Sequence, residues 1–165
     1  MSNDKKVDPE TVLLTGASGF IGLHCVKQLI QSGYKVRGTV RSLEKQKLVQ
    51  EVMAANNVET QNIEFNLLDL NSDSGWEASM VGCKYVMHVA SPFWIANPKN
   101  DAEMMTPAVD GTLRVLRAAK KAKVKRVILT SSIVSMMSSI RRGLFTPEDW
   151  TDVDFPNLST YIKSK

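Results

Sequence analysis

The sequence predicts an α/β domain built on a doubly wound parallel sheet. Two observations carry that expectation. Short apolar runs alternate five times with stretches of helical period, which implies right-handed crossovers between parallel strands covered on both faces. Between the first run and the first helix lies a glycine-rich turn, Gly16-Ala-Ser-Gly19-Phe-Ile-Gly22, where a Rossmann-like domain places its phosphate loop. The 165 residues suffice for one such core and are too few for two.

Each element has its own signal. Thr11-Val-Leu-Leu-Thr15 is an apolar run closed by glycine, as expected of a strand buried on both faces. From Phe20 the period changes: Ile21, Cys25, Val26, Leu29 and Ile30 form a helical stripe, and Gly33 stops it. Lys35–Val40 is the expected second strand. Leu43–Ala55 is a helix of strong formers, with Leu48, Val52 and Met53 expected inward. Ile63–Leu67 follows as a third strand, Gly75–Val81 as a short helix and Tyr85–Val89 as a fourth strand. A loop with Pro92 and Pro98 leads to a long helix over Ala102–Ala122, its inner face expected at Val109, Leu113, Leu116 and Ala119. Arg126–Thr130 is the fifth strand. Residues 138–158, with Gly143, Pro147 and Pro156, are expected as a surface loop. A last helix begins near Ser159 or Thr160, either of which can cap it.

Composition narrows the function classes. Apolar and charged shares of 43% and 23% are ordinary for a globular protein. No apolar run approaches the roughly 18–20 residues that cross a bilayer, and residues 1–10 are polar, without the apolar segment of a signal peptide. They are expected to form a flexible lead ahead of a domain over 11–165, in a cytoplasmic protein with no membrane partner. The two cysteines, Cys25 and Cys83, are expected to pack as small apolar side chains. With two histidines they offer no metal-ligand spacing, so no metal site is expected. The net charge of +4 is split. Arg37, Arg41, Lys45 and Lys47 surround the expected phosphate site, while Lys120, Lys121, Lys123, Lys125 and Arg126 gather at a helix C-terminus, where cations suit the macrodipole. Neither group is interleaved with aromatics, and no nucleic-acid partner is expected.

The glycine turn carries the first piece of chemistry. A turn without Cβ atoms lets the backbone approach a pyrophosphate, and the helix that follows offers unpaired N–H groups with partial positive charge. Sites that prefer NAD place an acid near the end of the second strand to hold the ribose 2′-hydroxyl. Here the segment reads Thr39-Val-Arg41-Ser42, with no acid before Glu44. A guanidinium instead suits a 2′-phosphate, with Lys45 or Lys47 able to assist, so NADP(H) is favoured over NAD(H).

The second piece lies near the end of the chain, in Thr130-Ser-Ser132 and Tyr161-Ile-Lys-Ser-Lys165. Carbonyl reduction by hydride leaves an alkoxide that must be protonated as it forms. A phenol can donate that proton, but phenols titrate near 10, and lowering this by about 2–3 units takes roughly 3–4 kcal/mol of phenolate stabilisation. A lysine four residues on shares the helical face and supplies part of it. A serine hydroxyl fixes the carbonyl oxygen.

Together with Thr15–Gly22, Val40-Arg41, Asp69-Leu70, His88-Val-Ala-Ser-Pro92 and Asp110-Gly-Thr112, these segments make the chain resemble the extended short-chain dehydrogenase/reductases. The likeness is greatest to the branch of dihydroflavonol and cinnamoyl-CoA reductases, and the segments run in family order over nearly the whole chain. The resemblance implies that Ser18, Gly19, Phe20 and Ile21, between Gly16 and Gly22, hold the pyrophosphate, and that Arg41 holds the 2′-phosphate. It also implies that Asp69 and Leu70 flank the adenine, and that Val89, Ala90 and Ser91 line the ribose and nicotinamide. Ser132, Tyr161 and Lys165 correspond to its catalytic group, Tyr161 and Lys165 also facing the cofactor. His88 is read as a strand residue of the pattern rather than a base.

Family members continue past this lysine into a substrate-binding lobe. The domain is therefore expected to be truncated at its C-terminus, with low turnover on its own, and any oligomer is expected to form through helices beyond Lys165. The expected activity is NADPH-dependent reduction of an aldehyde, ketone or dihydroflavonol-like substrate. Two alternatives stay open at this point: an NAD-dependent sugar-nucleotide epimerase or dehydratase, and a non-catalytic dinucleotide-binding protein or inactive fragment.

Overall fold

A computed structural model describes residues 8–94, 98–137 and 143–165. Residues 1–7 of the expected lead, part of the proline loop and 138–142 of the expected surface loop lie outside the described residues.

Five strands form one parallel sheet: β1 (Thr11–Thr15), β2 (Lys35–Val40), β3 (Ile63–Leu67), β4 (Cys83–His88) and β5 (Arg126–Leu129). Their spatial order is β3-β2-β1-β4-β5, so the chain winds outward to one side and then crosses over to the other. In such a sheet the crevice falls at the carboxyl ends of the two central strands, where winding reverses. Here those are β1 and β4, paired from Val12 with Tyr85 to Thr15 with His88.

The helices are α1 (Phe20–Gln31), α2 (Leu43–Ala55), α3 (Trp76–Met80), α4 (Ala102–Lys121) and α5 (Thr160–Lys163). Successive strand residues point to opposite faces, and β1 shows the consequence. Leu14 packs with Val26, Val36, Val49 and Met53 under α1 and α2. Leu13 packs with Trp76, Met80, Val86 and Val115 under α3 and α4. Both leucines are fully buried, as the unbroken apolar run of β1 requires.

Boundaries agree with the sequence reading to within two residues at β4 and one at the ends of β5 and α4. Two helix faces do not. In α2, Val49 is buried in place of Leu48, which is turned outward, while Val52 is part-buried beside Met53. In α4 the expected stripe of Val109, Leu113 and Leu116 faces outward. Met104, Ala108, Gly111, Val115, Ala118 and Ala119 are buried instead, with Val115, Ala118 and Ala119 packed against Leu13 and Val86 of the sheet. Both stripes have helical period, and close approach decides between them. A Cβ on Gly111 would sit 2.8 Å from Leu70 Cβ, so only the small-residue face can come that near. β5 lies at the sheet edge, with Ile128 and Leu129 about half exposed.

Candidate active site

The carboxyl ends of β1, β2, β3 and β4 carry the predicted cofactor residues. Gly16 follows β1 with φ of 69°, a left-handed conformation that suits glycine. Its absent Cβ would lie 3.0 Å from Ala90 Cα, so this turn and the Val89–Ser91 segment touch through bare backbone. Gly22 is more restricted still, since a Cβ there would lie 2.1 Å from the Gly16 carbonyl oxygen. The Gly19 amide donates to that same oxygen at 3.0 Å, and the Gly19 carbonyl receives the Leu23 amide at 2.8 Å, opening α1. The next N–H groups, on Phe20, Ile21 and Gly22, precede the first intrahelical bonds. Gly19, Phe20 and Ile21 are exposed and Ser18 is partly so. An open turn with Gly16, Gly19 and Gly22, leading into a helix N-terminus, fits a pyrophosphate.

Arg41 directly follows β2 and is exposed, and its guanidinium makes no hydrogen bond or ion pair among the described residues. Ser42 caps α2 by accepting the Lys45 amide at 3.3 Å, which holds the exposed Lys45 in the first turn beside Arg41. Arg37 does not belong to this set. It bonds Glu64 at 2.8 Å and the carbonyls of Ser79 and Val81 at 2.9 and 2.7 Å, tying β2 to β3 and to the end of α3. The expectation that Arg37 surrounds the phosphate site is therefore corrected: it lies three residues before the end of β2, and its charge is already satisfied. Lys47 pairs along its helix with Glu51 at 3.7 Å. Cys83, buried against Arg37, and the part-buried Cys25 are both free thiols, each pushed above the usual thiol range by burial.

Asp69 and Leu70 follow β3. The Asp69 carboxylate accepts the Asn71 amide at 2.8 Å, and the Trp76 indole donates to the Ser72 carbonyl at 2.9 Å, closing the turn. Arg114 on α4 donates to the Leu70 carbonyl at 2.7 Å and pairs with Asp73. Sequence reading assigned Arg114 no role; a turn-to-helix bond spanning more than forty residues leaves no local signal.

The predicted catalytic residues come from two segments that pack together. Ser132 opens a 3₁₀ turn over Ile133–Ser135, whose Ser135 amide and hydroxyl both donate to the Ser132 carbonyl. The Ser132 hydroxyl itself makes no hydrogen bond among the described residues. α5 is capped by Ser159, whose hydroxyl accepts the Ile162 amide at 3.3 Å. Thr160, the other possible cap, is buried and donates instead to the Asp101 carboxylate at the start of α4. Tyr161 sits in the first turn of α5, edge-on to Phe93 with ring centroids 5.3 Å apart. Lys165 lies just past the helix, its ammonium 5.3 Å from the centre of the Tyr161 ring and hydrogen-bonded to the Ser91 hydroxyl. Burial pulls its pKa below the ordinary lysine value. The structure thus brings Tyr161, Lys165 and Ser91 together; the short distances do not extend to the Ser132 hydroxyl.

Behind these loops is a hub that sequence reading left without a role. The buried Thr15 hydroxyl accepts the Val89 and Ala90 amides at 3.0 and 2.9 Å and meets His88 Nδ1 at 2.7 Å. His88 Nε2 lies 3.2 Å from the Thr112 hydroxyl on α4. Burial, and secondarily the Lys165 ammonium, pushes the His88 pKa down to about 4. An unfolded histidine binds its proton near 6.5, so the unfolded state gains protons first as pH falls. Stability is full above about pH 6.5 and declines toward pH 4. His88 alone is expected to remove about 2 kcal/mol between pH 7 and pH 5. Urea midpoints at the two pH values check this, and His88→Asn should flatten the difference.

Among the described residues no group of three or more His, Cys, Asp or Glu could hold a metal ion. No helix among them is long and apolar enough to cross a membrane.

Comparison with known proteins gives this geometry a family. The chain matches the NAD dependent epimerase/dehydratase family over residues 12–165, and it belongs to that family. It is 35% identical over 147 residues to dihydroflavonol 4-reductase of Dianthus caryophyllus, covering 88% of this chain and 41% of that protein. It is 36% identical over 159 residues to a Vitis vinifera anthocyanidin reductase, covering 94% of this chain and 46% of that one. Among solved structures it is similar to yeast methylglyoxal/isovaleraldehyde reductase Gre2 complexed with NADPH, with a TM-score of 0.76 and 27% identity over 93% of this chain and 48% of that one. The chain therefore spans less than half the length of each of these relatives.

Proposed function

We propose that residues 11–165 are the dinucleotide-binding part of an NADPH-dependent reductase that converts an aldehyde, ketone or dihydroflavonol-like carbonyl to an alcohol. The observation that carries the reading is the Lys165 ammonium, held between Ser91 and the Tyr161 ring beside the glycine turn. Relatives named as reductases, one of them complexed with NADPH, support it.

Gly16, Ser18, Gly19, Phe20, Ile21 and Gly22 would hold the pyrophosphate, Arg41 and Lys45 the 2′-phosphate, Asp69 and Leu70 the adenine side, and Val89, Ala90 and Ser91 the nicotinamide side. When bound, the reduced nicotinamide supplies the hydride. The Ser132 hydroxyl donates a hydrogen bond to the substrate oxygen, and the Tyr161 hydroxyl delivers the proton that turns the developing alkoxide into the alcohol. Lys165 offsets the charge left on the phenolate; its ammonium already faces that ring.

The test is oxidation of NADPH by a full-length version of the protein with a panel of aldehydes and ketones, followed by absorbance at neutral pH. Turnover with NADPH should exceed that with NADH, and Arg41→Ala should lose roughly tenfold or more of that preference, as expected for one charge-assisted phosphate contact of about 1.5–3 kcal/mol. Equal preference before and after the substitution would remove Arg41 from the site.

A further inference from the structure

His88 is 1% exposed and uses both ring nitrogens, yet the proposed chemistry gives it no task. Its hydrogen bonds can be assigned a direction by counting protons. The Thr15 hydroxyl has two acceptor sites, and the Val89 and Ala90 amides occupy both. Its single proton must then go to His88 Nδ1, 2.7 Å away. A ring nitrogen that accepts carries no proton, so the neutral imidazole holds its proton on Nε2 and donates to the Thr112 hydroxyl. The chain of donors therefore runs one way, from the Val89–Ala90 backbone through Thr15 and His88 to α4. The reverse tautomer would set two protons against each other between Nδ1 and Thr15.

We propose that His88, locked in this tautomer, is a positioning residue for dinucleotide binding, joining the glycine turn, the Val89–Ser91 segment and α4 into one rigid cradle. The inference rests on the cofactor reading above. Each of the three parts it joins meets that cradle. Thr15 precedes Gly16, whose missing Cβ leaves room for Ala90. Ala90 precedes Ser91, which holds Lys165. Thr112 follows Gly111, packed on Leu70 at the expected adenine side. A ring bonded at one end only would leave α4 free to move against the turn and the segment, which Thr15 joins directly, and holding them together for the ligand would then draw on binding energy.

The experiment compares NADPH dissociation constants, by calorimetry in the full chain, for wild type, His88→Leu, His88→Asn and Thr112→Val. Asparagine places an amide oxygen near the position of Nδ1 and so keeps an acceptor for Thr15; leucine keeps volume and removes both bonds. His88→Leu is expected to weaken NADPH binding at least tenfold, with the loss in KM for NADPH rather than in kcat at saturation. His88→Asn, which keeps only the Thr15 bond, should fall between wild type and His88→Leu, matching the severalfold loss of Thr112→Val. Thr112→Val, which leaves the core volume intact, should weaken binding severalfold even if the leucine variant fails to fold. NADPH affinities equal to wild type in both His88→Leu and Thr112→Val, whatever their stabilities, would overturn the positioning role. Absence of NADPH binding by wild type would instead overturn the cofactor reading and this inference with it.

Discussion

In a full-length version of the protein, Tyr161→Phe should abolish most turnover while leaving the fold and coenzyme affinity almost untouched. The side chain contributes two kinds of interaction, and phenylalanine removes only one. The ring meets Phe93 edge-on and lies under the Lys165 ammonium. Both contacts depend on the aromatic face and edge, which phenylalanine retains. The hydroxyl makes no hydrogen bond among the described residues, so its loss orphans no partner there. The unfolding free energy should stay within about 0.5 kcal/mol, the range of substitutions that break no buried contact. Proton delivery, by contrast, has no substitute at that position. Positioned acids typically contribute 10²–10⁴-fold, and kcat should drop by about that factor. The pairing of an intact NADPH dissociation constant with a collapsed kcat is the signature sought in steady-state kinetics and calorimetry. Unchanged kcat would assign the proton to another group.

Gly22→Ala should do the opposite, damaging binding and stability together. A methyl group there would lie 2.1 Å from the Gly16 carbonyl oxygen, 2.9 Å from its carbon and 3.1 Å from the Ala17 carbonyl carbon. All three are backbone atoms with no rotamer to escape into. Gly16 is itself pressed against Ala90 on the other side. Relief therefore requires α1 to shift or the turn to open, and overpacking of this kind costs at least about 2 kcal/mol. Because the displaced atoms line the proposed pyrophosphate cradle, NADPH affinity should fall by more than about 30-fold. Gly33→Ala is the matched control. Gly33 has φ of 83° and nothing within 4 Å of an added Cβ. That change should cost roughly 1–2 kcal/mol through backbone conformation alone and leave affinity unchanged.

The contrast between these two sites also explains what could be read from the chain before its fold. The succession of elements and their boundaries were legible because they rest on local patterning: the unbroken apolar run of β1, the period change at Phe20, the stops at Gly33 and Gly16. Helix faces were less so. In α4 the larger stripe of Val109, Leu113 and Leu116 suggested the core, but the buried face is the one on which Gly111 lets the helix pack against Leu70 in the turn after β3. Arg37 and Arg41 looked alike in sequence. Pairing β2 with β3 puts Glu64 beside Arg37, whereas Arg41 lies beyond the strand end.

Within the candidate site, the glycine turn and the Tyr161–Lys165 spacing were visible because each is contained in a few residues. The Ser91 bond to Lys165 spans 74 residues, and the Thr15–His88–Thr112 network joins three elements that only the fold brings together. Such contacts leave no periodic trace. Their only sign was that Thr15, His88 and Thr112 stood inside segments already singled out for other reasons.

The central claim is that the turn after β1 grips a phosphorylated dinucleotide, and a calorimetric titration of the full chain with NADPH and NADH tests it most directly. Saturable heat with NADPH, weaker binding of NADH and loss of the NADPH signal in Gly22→Ala are the predicted results. A folded wild-type protein that gives no binding heat with either coenzyme would contradict the account.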